Sequence, residues 1–89
     1  MYKVCVFSLN GCSHCVTLKD ELRKENIEFS EYEVNENKDA YDQILAVTKL
    51  DALPTVYLQN TETGAGPIFV AGRDFFSKEE AIEKIKKYI

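Results

Sequence analysis

Six residues, Asn10-Gly11-Cys12-Ser13-His14-Cys15, constrain this chain more than any other stretch. They set a C-x-x-C pair between an apolar run that reads as a strand and a segment that reads as a helix, and they hold two of the three cysteines. In a helix that begins at or just after Cys12, the first sulfur lies at an open N-terminus. There, unpaired backbone N–H groups and the positive end of the helix dipole favour a thiolate. Cys12 is therefore the expected nucleophile. Cys15 lies in the first turn on the same face, so its sulfur can reach Cys12 and displace a mixed-disulfide partner as the resolving thiol. A C-x-x-C that opens a helix after a strand points to thiol–disulfide exchange. The competing reading is half of a zinc or iron–sulfur site, which needs about four ligands. Only His14, inside the loop, and Cys5 remain as candidates, and Cys5 lies within Val4-Cys5-Val6-Phe7, where a cysteine serves as a small buried hydrophobe. No metal ligand is assigned.

The rest of the chain fits a redox globule better than a nucleic-acid or membrane protein. Its 89 residues predict a single domain over 1–89, and 45% apolar with 29% charged residues is an ordinary globular composition. The net charge of −4, with no basic cluster beyond Lys84, Lys86 and Lys87, argues against nucleic-acid binding. Those lysines suit the last turns of a helix, with Glu80–Lys84 and Glu83–Lys87 at favourable spacing. Met1-Tyr2-Lys3 runs straight into a short strand without a leader or a span, so a cytoplasmic setting is expected, in which the oxidised pair is a transient catalytic state.

Tyr2 to Ser8 is β-branched and aromatic, the pattern of a central strand buried on both faces. Cys15, Leu18 and Leu22 recur at helical spacing to about Asn26. Ile27 to Val34 alternates in two registers, Ile27 and Phe29 and then Tyr32 and Val34, which predicts an edge strand with room for a bulge near Glu31. Asn35 and Asn37 offer caps to a second helix carrying Tyr41, Ile44, Leu45 and Thr48 through about Lys49. Pro54 stops it, Thr55 to Leu58 reads as a strand, and Pro67 to Ala71 completes a hairpin across a turn-rich loop. Ser77-Lys78-Glu79-Glu80 is a capping box, with Phe76 and Ala81 at the staple positions, for a third helix. The order β-α-β-α-β-β-α predicts an α/β fold, a four-stranded mixed sheet flanked by three helices.

Over essentially its full length the chain resembles the glutaredoxins of the thioredoxin-fold superfamily. The resemblance rests on Cys12-Ser13-His14-Cys15 after the first strand, Leu53-Pro54 before the third, Gly72-Arg73-Asp74 after the fourth, and the overall size. It implies a cis Pro54 beside Cys12, with Leu53 offering main-chain N–H and C=O to the cysteinyl part of glutathione. It implies further that the segment around Gly72, Arg73 and Asp74 holds the γ-glutamyl end. Two positions depart from the family pattern: Leu9 replaces a common lysine, and Phe75 stands where a carboxylate is usual. The glycyl carboxylate then falls to Lys38 or the Tyr41 hydroxyl. His14 replaces a common tyrosine, and a histidine at that place is associated with the strongly oxidising DsbA, so it is expected to stabilise the thiolate and raise the potential.

The resemblance implies a glutathione-dependent thiol–disulfide oxidoreductase, a monomer with no permanently bound cofactor and with glutathione as co-substrate. Its partners would be disulfide-containing proteins, ribonucleotide reductase among them. Two alternatives stay open: a redoxin reduced by thioredoxin reductase, and a carrier of a glutathione-bridged [2Fe–2S] cluster.

Overall fold

The first strand sets the layers. In the computed structural model, which describes residues Met1–Ile89, strand β1 (Tyr2–Ser8) has every residue from Val4 to Ser8 buried. It lies inside a four-stranded sheet of order β2-β1-β3-β4, with β2 at Ser30–Glu33, β3 at Thr55–Asn60 and β4 at Ile68–Val70. β1 runs parallel to β2 and antiparallel to β3, and β3 and β4 form the antiparallel hairpin. Helices α1 (Ser13–Lys24), α2 (Lys38–Thr48) and α3 (Lys78–Lys86) complete the expected order. Because side chains alternate along a strand, Val4 and Val6 enter a core with Leu18 and Leu22 of α1 and Ile82 and Ile85 of α3. Cys5 and Phe7 point the other way, to Tyr41 and Ile44 of α2. Two helices thus cover one face and one helix the other. Truncating a side chain such as the fully buried Leu22 to alanine costs about 2–5 kcal/mol.

The strand β2 corrects one expectation. Ser30 to Glu33 pair with Cys5 to Ser8 in unbroken register, so there is no bulge at Glu31. The two registers are instead the two faces of the sheet: Ile27 and Phe29 join the core under α1, whereas Tyr32 and Val34 join the core under α2. Ile27 is brought there by the end of α1. Asn26 adopts φ +58, its amide donates to Arg23 at 3.0 Å, and that of Ile27 donates to Leu22 at 2.9 Å. This pair of bonds turns the chain back onto the core, with asparagine tolerating the left-handed position.

At α3 the serine half of the capping box forms, Glu80 N–H donating to Ser77 Oγ at 3.1 Å, worth about 1 kcal/mol, while the Glu80 carboxylate reaches one residue past the cap and accepts Phe76 N–H at 3.0 Å. The staple does not form. Phe76 is 76% exposed, while its neighbour Phe75 enters the core at 4%. Nor do Lys84 and Lys86 pair within the helix: Lys84 sits over the Phe69 ring and Lys86 bonds Glu25, the residue that ends α1 as its C-cap.

Candidate active site

The site begins with a turn. Cys12 N–H donates to Leu9 C=O at 3.0 Å, and Gly11 between them has φ +87, a conformation that an L side chain resists. Glu33, at the end of β2, holds this turn in place. One carboxylate oxygen accepts Asn10 N–H at 3.1 Å and the other accepts Asn35 N–H at 2.7 Å and Glu36 N–H at 3.3 Å. Sequence reasoning passed over Glu33, because an acidic residue ending an edge strand carries no signal of which amides it will meet.

Cys12 is the N-cap of α1, with extended backbone, and its Sγ accepts Cys15 N–H at 3.2 Å. No acidic residue lies in the first turn, so nothing there opposes a negative sulfur beside the exposed amides. The two cysteines are joined as a disulfide, with Cα atoms 5.3 Å apart. Their surroundings differ: Cys12 is half-buried at the loop, whereas Cys15 is 1% exposed beneath the helix. Cys5 is the remaining cysteine, buried and free. Burial pushes its thiol pKa up against the opposing pull of Lys3 and Tyr32, which disfavours a reactive thiolate.

A groove of about 290 Å³ runs between the start of α1 and the entry to α3. Leu18, Pro54, Ala71 and Phe75 line it with apolar surface, His14 and Thr17 come from α1, and Phe76, Ser77 and Lys78 from the far side. Leu53-Pro54 is cis, and Leu53 also lines the groove. Neither the N–H nor the C=O of Leu53 has a hydrogen-bond partner within the chain, because the pairing of β3 starts only at Thr55. The structure thus brings His14, Leu53, Pro54 and Gly72 to one groove. Phe76 and Lys78 belong to it as well and were missed, since nothing local tells which of two adjacent phenylalanines turns outward.

Other candidate residues are engaged elsewhere. Asp74 Oδ2 accepts Val70 N–H at 2.8 Å and Arg73 Nε–H at 2.8 Å, and Arg73 also donates to Ile68 C=O at 3.3 Å. Together they cover the open edge of β4, whose unpaired backbone groups would otherwise invite another strand. Burial pushes the Asp74 carboxyl up, but the bonds from Arg73 and Val70 outweigh it and hold the group below the usual carboxylate range. The amides of Gly72, Arg73 and Asp74 bond to Phe75 C=O, Val70 C=O and Val70 C=O respectively, so in this structure they do not face a ligand. Tyr41 is buried under α2 and donates its hydroxyl to Asp51 at 2.8 Å; burial first, and then Asp51, pushes its pKa well above the ordinary value. Its hydroxyl is therefore not free for the carboxylate assigned to it. Lys38 opens α2, on the opposite face of the sheet, and does not line the groove. His14 makes no hydrogen bond to Cys12, whose sulfur is met by the Cys15 amide instead. No group of three or more His, Cys, Asp or Glu side chains is arranged to hold a metal ion, and no helix is long and apolar enough to cross a membrane.

Comparison with known proteins agrees with this geometry. The glutaredoxin family model matches residues 4–62, which contain the cysteine pair and Pro54. The chain belongs to the glutaredoxin family. The Gene 56 protein of Mycobacterium phage L5 is 34% identical over 53 residues, 60% of this chain and 52% of that protein, so the matched segment spans about half the length of that relative. Among solved structures, a mutant of the thioredoxin-like protein BC3987 superposes with a TM-score of 0.63 at 21% identity, covering 96% of each chain. A structure described as a malarial protein gives 0.57 at 22% identity, covering 100% of this chain and 98% of that one. The fold is thioredoxin-like.

Proposed function

We propose that this protein is a glutathione-dependent thiol–disulfide oxidoreductase that works in a reducing, cytoplasmic setting on protein disulfides and glutathione mixed disulfides. The observation that carries the reading is the unequal pair at the start of α1, one sulfur at the open helix terminus and the other 1% exposed behind it. In the reduced state the Cys12 thiolate attacks one sulfur of a disulfide, forming a mixed disulfide and releasing the first substrate thiolate. Cys15, losing its proton, then attacks Cys12 Sγ, which closes the Cys12–Cys15 bond and releases the second thiolate. The substrate gains two electrons and the protein loses two. One glutathione thiolate reopens the bond as a Cys12–glutathione disulfide, and a second releases glutathione disulfide and the Cys12 thiolate. The unpartnered N–H and C=O of Leu53 suit the extended backbone of a cysteinyl ligand.

A specific observation also favours a second reading, reduction by thioredoxin reductase. The loop after β4 has its polar groups engaged in capping the sheet edge, and Leu9 and Phe75 supply no charge. The two readings separate in one assay, turnover of a small disulfide with either glutathione plus its reductase or thioredoxin reductase as the only electron source. Turnover with glutathione is expected; turnover with thioredoxin reductase alone overturns the first reading in favour of the second.

A further inference from the structure

The groove beside the cysteine pair has a character that the exchange chemistry itself does not require. Although the chain carries 15 acidic residues, none lines the groove, while His14 and Lys78 do. The rest of its surface is uncharged, with Leu18, Leu53, Pro54, Ala71 and Phe75 beside the hydroxyls of Thr17 and Ser77, and one wall is Phe76, left 76% exposed. The exposure is held in place from the backbone, since Phe76 N–H is bound by Glu80 and Phe75 takes the place in the core. Lys78 contacts Glu21 at 3.4 Å, which leaves further ammonium donors for a second acceptor.

We propose that Phe76 and Lys78 select the protein substrate: an extended segment with an apolar side chain beside its disulfide cysteine and a carboxylate a residue further out. This rests on the reading of the chain as a thiol–disulfide oxidoreductase. The substrate backbone lies along Leu53, its apolar side chain packs on the Phe76 ring and the apolar floor, and its carboxylate meets the Lys78 ammonium beside or in place of Glu21. Such selectivity adds to a main-chain interaction that is blind to side chains.

The test uses four synthetic peptides, each a symmetric disulfide dimer with a single cysteine. The cysteine is flanked by Leu or by Gly on both sides, with Asp or Asn one residue further out. Second-order rate constants for reduction by the prereduced protein are read by acid quench and chromatography. The wild type is expected to prefer Leu over Gly by roughly five- to tenfold, the size of a half-buried aliphatic contact, and Asp over Asn by about two- to fivefold, declining with salt. Phe76→Ala brings the Leu/Gly ratio toward one and leaves the Asp/Asn ratio in place, and Lys78→Gln does the converse. Each ratio is internal to one variant, and thermal unfolding checks that both variants fold. Equal reduction of all four peptides by the wild type, or ratios that survive both substitutions, overturns the selectivity while leaving the exchange reaction standing. Reduction of none overturns both.

Discussion

The loop Leu9–Cys15, through His14, and the loop Ala71–Ser77 flank the same groove from opposite sides, yet their own side chains play different parts. In the first, the loop's own contribution is main chain and sulfur, a turn closed at 3.0 Å, a glycine at φ +87 and a helix terminus that begins at Cys12, with the Glu33 carboxylate bonding the Asn10 amide from β2. In the second, the side chains of Arg73 and Asp74 are engaged in covering the edge of β4, and one of two phenylalanines is drawn into the core. A reactive group defined by backbone geometry keeps its function in a fixed place, whereas a polar side chain next to a groove is drawn to whichever unpaired amide is nearer. The family model, which stops at residue 62, matches the first loop and not the second.

The largest effects should separate the two loops by kind. Cys12→Ser is expected to abolish exchange, by more than roughly 10³-fold, because a hydroxyl cannot replace the thiolate favoured by the helix terminus, while stability changes little. Cys15→Ser should retain reduction of glutathione mixed disulfides and trap protein substrates as adducts visible by non-reducing electrophoresis. Equal loss in both variants would erase the division of roles inside the first loop. Phe75→Asp in the second loop is expected to act through the fold instead. It removes a buried aromatic and places a carboxylate in the core, a cost of about 4 kcal/mol or more against a total stability of about 5–15 kcal/mol. Denaturant unfolding reads this directly, and a stable variant with improved glutathione turnover would return Phe75 to the ligand site.

Asp74→Asn tests the edge cap with a smaller effect, about 1 kcal/mol, since an amide still accepts the Val70 N–H but loses the charge opposite Arg73. The sign in pH follows from the depressed carboxyl. Its folded-state pKa lies below the unfolded value of about 3.9, so the extra stability is fully present above that value and is lost as pH falls through the folded pKa. The gap between wild type and Asp74→Asn should therefore be constant from neutral pH to about pH 5 and close below about pH 4. A gap independent of pH would mean that the charge plays no part in covering the strand.

What could be read before the structure was whatever depends on neighbours in sequence: the doubly buried strand Val4–Phe7, the C-x-x-C at the start of a helix, the break at Pro54 and the Ser77–Glu80 cap. What could not be read depends on partners brought from afar. Tyr41 meets Asp51 across the end of α2, Glu33 meets the turn before Cys12 from a neighbouring strand, and Arg73 and Asp74 serve a strand edge that exists only once the sheet is assembled. The two registers of β2 look like a bulge in one dimension and become two faces in three.

His14 belongs to the first loop by sequence and to the groove by position, so its substitution sharpens the comparison most finely. The Cys12 sulfur already receives the Cys15 amide at 3.2 Å, while the histidine is exposed and lines the groove beside Leu53 and Pro54. Its hold on a thiolate is then that of an exposed polar or charged neighbour, worth about 0.2–1 kcal/mol. For a two-electron couple about 30 mV corresponds to 1.4 kcal/mol, so His14→Tyr should lower the reduction potential by roughly 5–20 mV in a glutathione redox titration, with the Cys12 pKa rising in step. A fall well beyond about 30 mV would mean that, once the disulfide opens, the imidazole swings out of the groove to bond the sulfur directly. The first loop would then depend on one of its own polar side chains, as the second does, and the contrast between the two loops would fail at its centre.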